Sequence, residues 1–288
     1  MCVKIHPSNR SAIMSYTQTV TYLEPSKLSN WKRHSIPAYN RLKIDPNHPS
    51  YHDASVVFDQ ERFKYPYLPL YMGQYNIDVN SVNLNVLRLI ISKEGYDITI
   101  PEQFEPLKDF IMAQCNYHRQ HYPQNNKPYI YITIRTTDGD CYYQTAQDWH
   151  VDGFQGGSSD RHIPEQDIVW SNCNPTEFTL QPIFCEGLNP NKHNIVNFFN
   201  ETIKENDIYT AVENGVYLMT PYNIHRVSTE KFEGKRVFIR LTFSPVPILD
   251  KTNTPNPCIP MDNYRHDVRD FLWDYKSDEF AHSGFKKK

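Results

Sequence analysis

Two segments of this chain alternate so strictly that they leave little choice of fold. In Tyr129 to Arg135, Ile130, Ile132 and Ile134 face one way, while Tyr129, Tyr131, Thr133 and Arg135 face the other. Arg236 to Phe243 repeats the pattern, with Val237, Ile239, Leu241 and Phe243 opposite Arg236, Phe238, Arg240 and Thr242. A period of two means strands, and each apolar face must be buried under other elements. The second face of both strands sets arginine among aromatics and hydroxyls. Charge turned toward the inside of a sandwich is costly unless something there binds it, so this face predicts a site in the lumen.

Further strand-like runs are Asp167 to Asn172, Glu177 to Ile183 and Gly215 to Thr220. Helical spacing appears earlier. Val86, Leu87, Ile90 and Ile91 predict one helix, and Leu107, Phe110, Ile111 and Cys115 predict a second, with Pro106 in its first turn. A last helix is expected near Asp262–Tyr275. Helices, then many strands, then a helix make an α+β layout around an antiparallel sandwich or barrel. We expect one structural domain in four parts: an irregular arm over 1–60, helical support over 61–128, the β core over 129–248, and a helix with a tail over 249–288.

Composition narrows the function. The chain has 288 residues and a formal net charge of -3, so it has no basic field suited to duplex DNA. The 6 cysteines show no CxxC pair and no zinc-finger spacing, which points to a reduced chain. The first residues have no apolar signal-peptide core, and no run is long enough to span a membrane. The expectation is a soluble, cytoplasmic protein with no membrane partner. Pro (21) outnumbers Gly (10), which fits stiff connections around a small core.

The segment Gln147 to Phe154 holds His150-Val151-Asp152, an HxD. Positions i and i+2 of a strand share a face, so both side chains can reach one metal ion. With 12 histidines in the chain, such a pair means little alone. A third ligand from a distant strand changes its weight. His225 lies 73 residues beyond Asp152, between two strand-like runs, and Arg236 opens a strand after ten intervening residues.

His150, Asp152, His225 and Arg236, in that order and strand context, resemble the Fe(II)/2-oxoglutarate-dependent oxygenase superfamily. The resemblance spans roughly residues 129–245 and names no subfamily. It implies a double-stranded β-helix, or jelly roll. It also implies Fe(II) held by His150, Asp152 and His225, with 2-oxoglutarate and O₂ as cosubstrates. Two imidazoles and a carboxylate on one face leave three coordination positions open, which is what such chemistry uses. Succinate, CO₂ and a hydroxylated substrate would be the products.

The far carboxylate of 2-oxoglutarate needs a fixed cation with fork geometry. Arg236 fits by spacing. Arg240 shares its face and is read as contacting an anionic substrate, or as replacing Arg236. Thr176 matches the hydroxyl position of many relatives, without the Gly-Gly often found there. Tyr131 and Thr133 compete for that role. Trp149 and Arg135 are further candidates for substrate contact, and the Gly/Ser-rich run from Gln155 to Pro164 reads as a loop over the site.

Two other classes stay in view. One is a jelly-roll metalloenzyme holding zinc, of the cupin kind, which would leave Arg236 without a task. The other is a non-catalytic binding or assembly module, which would leave three convergent ligands unexplained. The inner arginines favour a small-molecule substrate, anionic or amino-acid-like, while a peptide or nucleotide stays open. Nothing in the sequence sets the oligomeric state.

Overall fold

The computed structural model describes residues 2–5, 60–64, 68–122, 127–138, 148–152, 166–186, 188, 195–245, 247–248, 253–254 and 256–259. The helix expected near Asp262–Tyr275, the loop from Gln155 to Pro164 and most of the N-terminal arm lie outside these residues.

In chain order the strands are β1 (Cys2–Ile5), β2 (Leu70–Gln74), β3 (Val86–Ser92), β4 (Ile98–Pro101), β5 (Tyr129–Asp138), β6 (Gln166–Ser171), β7 (Thr176–Thr179), β8 (Ile208–Thr210), β9 (Gly215–Met219), β10 (His225–Val227) and β11 (Lys235–Ser244). The α-helices are α1 (Lys108–His121) and α2 (Ile195–Thr202). One sheet runs β2-β9-β6-β11-β5-β3 and a smaller one runs β10-β7-β8, all antiparallel. His150 adds to the edge of the smaller sheet by an antiparallel bridge to His225. The inner order of the large sheet, β9-β6-β11-β5, faces bridge-β10-β7-β8, and from β5 onward the chain swaps between sheets at every step except β7 to β8, which are neighbours in the smaller sheet. That is the jelly-roll topology implied by the resemblance, a finer statement than the antiparallel sandwich or barrel that alternation alone predicts.

The two alternating segments pair with each other, Ile239 opposite Ile134 and Arg240 opposite Thr133. Their apolar faces enter one core with Ile168 and Trp170 of β6, Val216 and Leu218 of β9, and Leu107, Phe110, Ile111 and Cys115 around α1. Each of these large side chains contributes about 1.5–3 kcal/mol on full burial. The helix therefore covers the outer face, and the polar face turns inward. A 3₁₀ turn, Glu102–Leu107, contains Pro106 and leads into α1, with acids in that turn and His118, Arg119 and His121 at the far end, as the helix dipole favours.

A second core seats α2 on the smaller sheet, through Ile195, Phe198 and Phe199 against Trp149, Val151 and Ile224. Between the sheets, Phe178, Tyr209, Val169, Tyr217 and Met219 fill one end of the barrel. The hydroxyls of Tyr209 and Tyr217 lie 3.0 Å apart there.

Three expectations need correction. Val86 to Ile91 is not a helix but β3, paired with β5. Bulges beside Leu89 and Ile90, with Arg88 at φ 47°, break its alternation. Leu89 and Ile91 join the main core while Ile90 packs with Tyr131, Ile248 and Ile259. A strand buried on both faces reads as a continuous apolar run, which mimics helical spacing. The stretch over 61–128 consequently supplies strands as well as α1. Finally, Cys258 is disulfide-bonded, so the chain is not fully reduced, while Cys115, Cys173 and Cys185 are free thiols. No helix among the described residues is long and apolar enough to cross a membrane.

Candidate metal centre

The backbone brings the first two histidines together. His150 N donates to the His225 carbonyl at 3.0 Å, and His225 N donates to the His150 carbonyl at 2.9 Å. Their rings lie 4.4 Å apart between centroids. Each ring is then oriented by its own chain. His150 Nδ1 donates to the Asp148 carbonyl at 2.7 Å, and His225 Nδ1 donates to the Asn223 carbonyl at 2.9 Å. A carbonyl can only accept, so Nδ1 carries the proton in both rings and Nε2 presents its lone pair.

Asp152 completes the set. Its Oδ2 lies 3.3 Å from His225 Nε2. The ligand atoms of His150, Asp152 and His225 all lie within 4.8 Å of one another. Three lone-pair donors thus converge with no proton assigned between them. Such a cluster repels itself unless a cation sits among its members, and two imidazoles with one carboxylate suit a divalent transition metal. Burial, helped by neighbouring His225 and opposed by Asp152, pushes the His150 imidazole down to about 4, so it stays neutral and ligand-ready. Burial alone would raise the Asp152 carboxyl, but the Arg240 guanidinium holds it well below its ordinary value.

The arginines divide. Arg240 Nη1 donates to Asp152 Oδ2 at 2.7 Å, and its Nε lies 3.9 Å from Asp167 Oδ1. Its charge is already shared by two carboxylates, which removes the basis for reading it as the anchor of an anionic substrate. Arg236 is different. It is 5% exposed and reaches from β11 to the loop before β7, where Nε donates to the Asn174 carbonyl at 3.0 Å. Its guanidinium stacks over Phe238, and Nη2 is buried with no hydrogen-bond partner among the described residues. No described carboxylate pairs with it. Burial pushes its pKa down to about 10. A buried cation with an orphan donor is a place for an anion.

Thr176 is buried on β7, two residues beyond Asn174, in the same register as Phe178, whose ring lies 6.0 Å from that of His225. It therefore faces the lumen on the Arg236 side. Tyr131 and Thr133 are otherwise engaged. The Tyr131 hydroxyl accepts from Ile248 N at 2.9 Å, and Thr133 Oγ1 accepts from Arg88 N at 3.1 Å. Both serve neighbouring backbone rather than a cosubstrate. Trp149 is not brought into the site either. Strand alternation sends Trp149 and Val151 to the face opposite His150 and Asp152, into the core under α2, with Arg226 over the indole at 4.3 Å. Arg135 is exposed, opposite Phe238.

Two groups near the centre escaped sequence reasoning. Asp167 is buried on the inner face of β6, and Thr242 donates to its Oδ1 at 2.5 Å. Burial, with Asp152 adding to it, raises the Asp167 carboxyl to about 6. Arg226, beside His225, bonds Glu177 at 2.7 Å and Glu205 at 2.6 Å on the outer face of the smaller sheet. Inward alternation of Asp167 with Val169 was a usable signal, but its register against Arg240 was not readable.

No family model matches the sequence, and no curated protein does. Among solved structures, the chain is similar to the Kdo hydroxylase KdoO, described as a non-heme Fe(II) alphaketoglutarate dependent dioxygenase in complex with cobalt(II), with TM-score 0.36 and 10% identity over 67% of this chain and 86% of that one. It is also similar to HygX from Streptomyces hygroscopicus. The apo form gives TM-score 0.28 and 13% identity over 49% of this chain and 70% of that one. The form with nickel and 2-oxoglutarate bound gives TM-score 0.27 and 10% identity over 49% and 68%. Likeness at these TM-scores carries no argument, so strand order and ligand geometry bear the functional reading.

Proposed function

We propose that this protein is an Fe(II)- and 2-oxoglutarate-dependent dioxygenase that hydroxylates a small molecule. The observation that carries the reading is the pairing of three converging lone-pair donors with the buried guanidinium of Arg236, whose Nη2 finds no acceptor among the described residues. A zinc hydrolase would use the first and leave the second idle.

His150, Asp152 and His225 would hold the metal, and Arg236 with Thr176 would hold the far carboxylate of 2-oxoglutarate. When bound, iron and 2-oxoglutarate supply the oxidising power, through decarboxylation to succinate and O₂ reduction. The chain's own work is positional. The Asp148 and Asn223 carbonyls keep both imidazoles in the ligating tautomer. Phe238 and Phe178 exclude water beside the cation and the histidine. Formal charge also closes. The metal and two arginines bring four positive charges, Asp152 and Asp167 remove two, and the remaining two match a diacid dianion. A dianion is therefore drawn in without leaving net charge in a low-dielectric lumen.

Calorimetry under nitrogen tests this directly. The metal-loaded protein should bind 2-oxoglutarate, and aerobic incubation should release succinate. Metal-loaded protein that neither binds 2-oxoglutarate nor forms succinate would remove the basis of the proposal.

A further inference from the structure

We propose that Asp167 is a positioning residue for the metal ligand Asp152, acting through Arg240. This rests on the reading of His150, Asp152 and His225 as a metal centre. Thr242 and Asp167 are opposite partners across β11 and β6, and Arg240 is the next inward residue along β11. The contacts form a row. Thr242 Oγ1 donates to Asp167 Oδ1 at 2.5 Å, Arg240 Nε lies 3.9 Å from the same oxygen, and Arg240 Nη1 donates to Asp152 Oδ2 at 2.7 Å.

The row resolves a conflict. The guanidinium sits on the carboxylate that the metal needs. With Asp152 as its sole anion, Arg240 would compete with the cation for the same lone pairs and add a repelling charge beside it. Asp167 supplies a second anion, 3% exposed, so its attraction is little screened by water. Thr242 fixes the rotamer of Asp167. The guanidinium is thereby held between two carboxylates, and Asp152 keeps an oxygen for the metal. Groups behind metal ligands commonly matter in this way.

Co(II) titration under nitrogen, followed by its visible absorption, tests the idea without 2-oxoglutarate or turnover. Asp167→Asn keeps the shape and the acceptor for Thr242 but removes the charge. It should weaken Co(II) binding about 10- to 100-fold and alter the absorption of the bound ion. In an Arg240→Met background the same substitution should cost little more, because its route to Asp152 is gone. Equal Co(II) affinity in the parent and Asp167→Asn overturns the proposal, as does an equal loss in both backgrounds, which would mark a merely structural role. Should Asp167→Asn fail to fold, Thr242→Val gives the same test. A severalfold loss that vanishes with Arg240→Met supports the proposal, and unchanged affinity overturns it. A parent that binds no Co(II) overturns the metal centre itself and this proposal with it.

Discussion

Replacing Arg236 by glutamine should separate binding from stability. The guanidinium is buried, and the fall of its pKa to about 10 means that burial costs the charged form about 3 kcal/mol. Arginine stays charged at neutral pH, so the folded protein bears that cost throughout. Against it stand the bond to the Asn174 carbonyl, worth about 1.5–3 kcal/mol for a charged donor, and the Phe238 stack. The two sides nearly cancel, and glutamine can keep one donor. Stability of the metal-free variant should therefore change by about 1 kcal/mol or less in urea unfolding. Cosubstrate binding has no such compensation. Removing the cation from a buried carboxylate pair costs about 2–5 kcal/mol, roughly 30-fold or more in Kd. Calorimetric titration of metal-loaded parent and variant with 2-oxoglutarate reads this out, with Co(II) affinity as the control. A strongly destabilised variant that still binds 2-oxoglutarate like the parent would show that Arg236 is structural and refute the reasoning.

Other expectations follow from the same geometry. Asp152→Ala should abolish tight Co(II) binding and succinate release, since the remaining imidazoles lose their charged partner; undiminished succinate would contradict the ligand set. Arg226→Met should destabilise the fold by about 3–5 kcal/mol because it strands Glu177, which is buried. Glu205→Gln should cost under about 1 kcal/mol, because that carboxylate is 64% exposed, and equal costs in chemical denaturation would speak against this asymmetry. His118 stacks on Phe243, and burial pushes its imidazole down to about 3. Its folded pKa lies below the unfolded value of about 6.5, so the unfolded chain takes up a proton first and stability falls as pH drops from about 6.5 toward 3. His118→Leu should flatten that part of the pH–stability curve, and identical slopes would exclude His118 as the cause.

Much of the site was legible because its parts obey local rules. His150 and Asp152 share a face by strand period alone, and Arg236 and Arg240 share one for the same reason. Other roles depended on neighbours that sequence does not show. Trp149 adjoins a ligand in the chain yet faces the opposite core. Tyr131 lies on the polar face yet gives its hydroxyl to Ile248. The strand at Val86–Ser92 looked helical because both of its faces are buried, which erases the alternation that marks a strand.

Alternation and the ordered HxD, histidine and arginine thus determined by themselves that this chain builds a polar-lined β sandwich with a metal-type cluster. Only the tertiary structure decided how the two arginines differ. Pairing β11 with β6 puts Arg240 between Asp152 and Asp167, while Arg236 reaches a loop that offers a carbonyl and no carboxylate. Both sit on one face of one strand with the same local pattern. Their difference arises from the register of a strand far away in sequence, and burial turns that register into a balanced charge in one case and, in the other, a buried guanidinium that no described carboxylate balances.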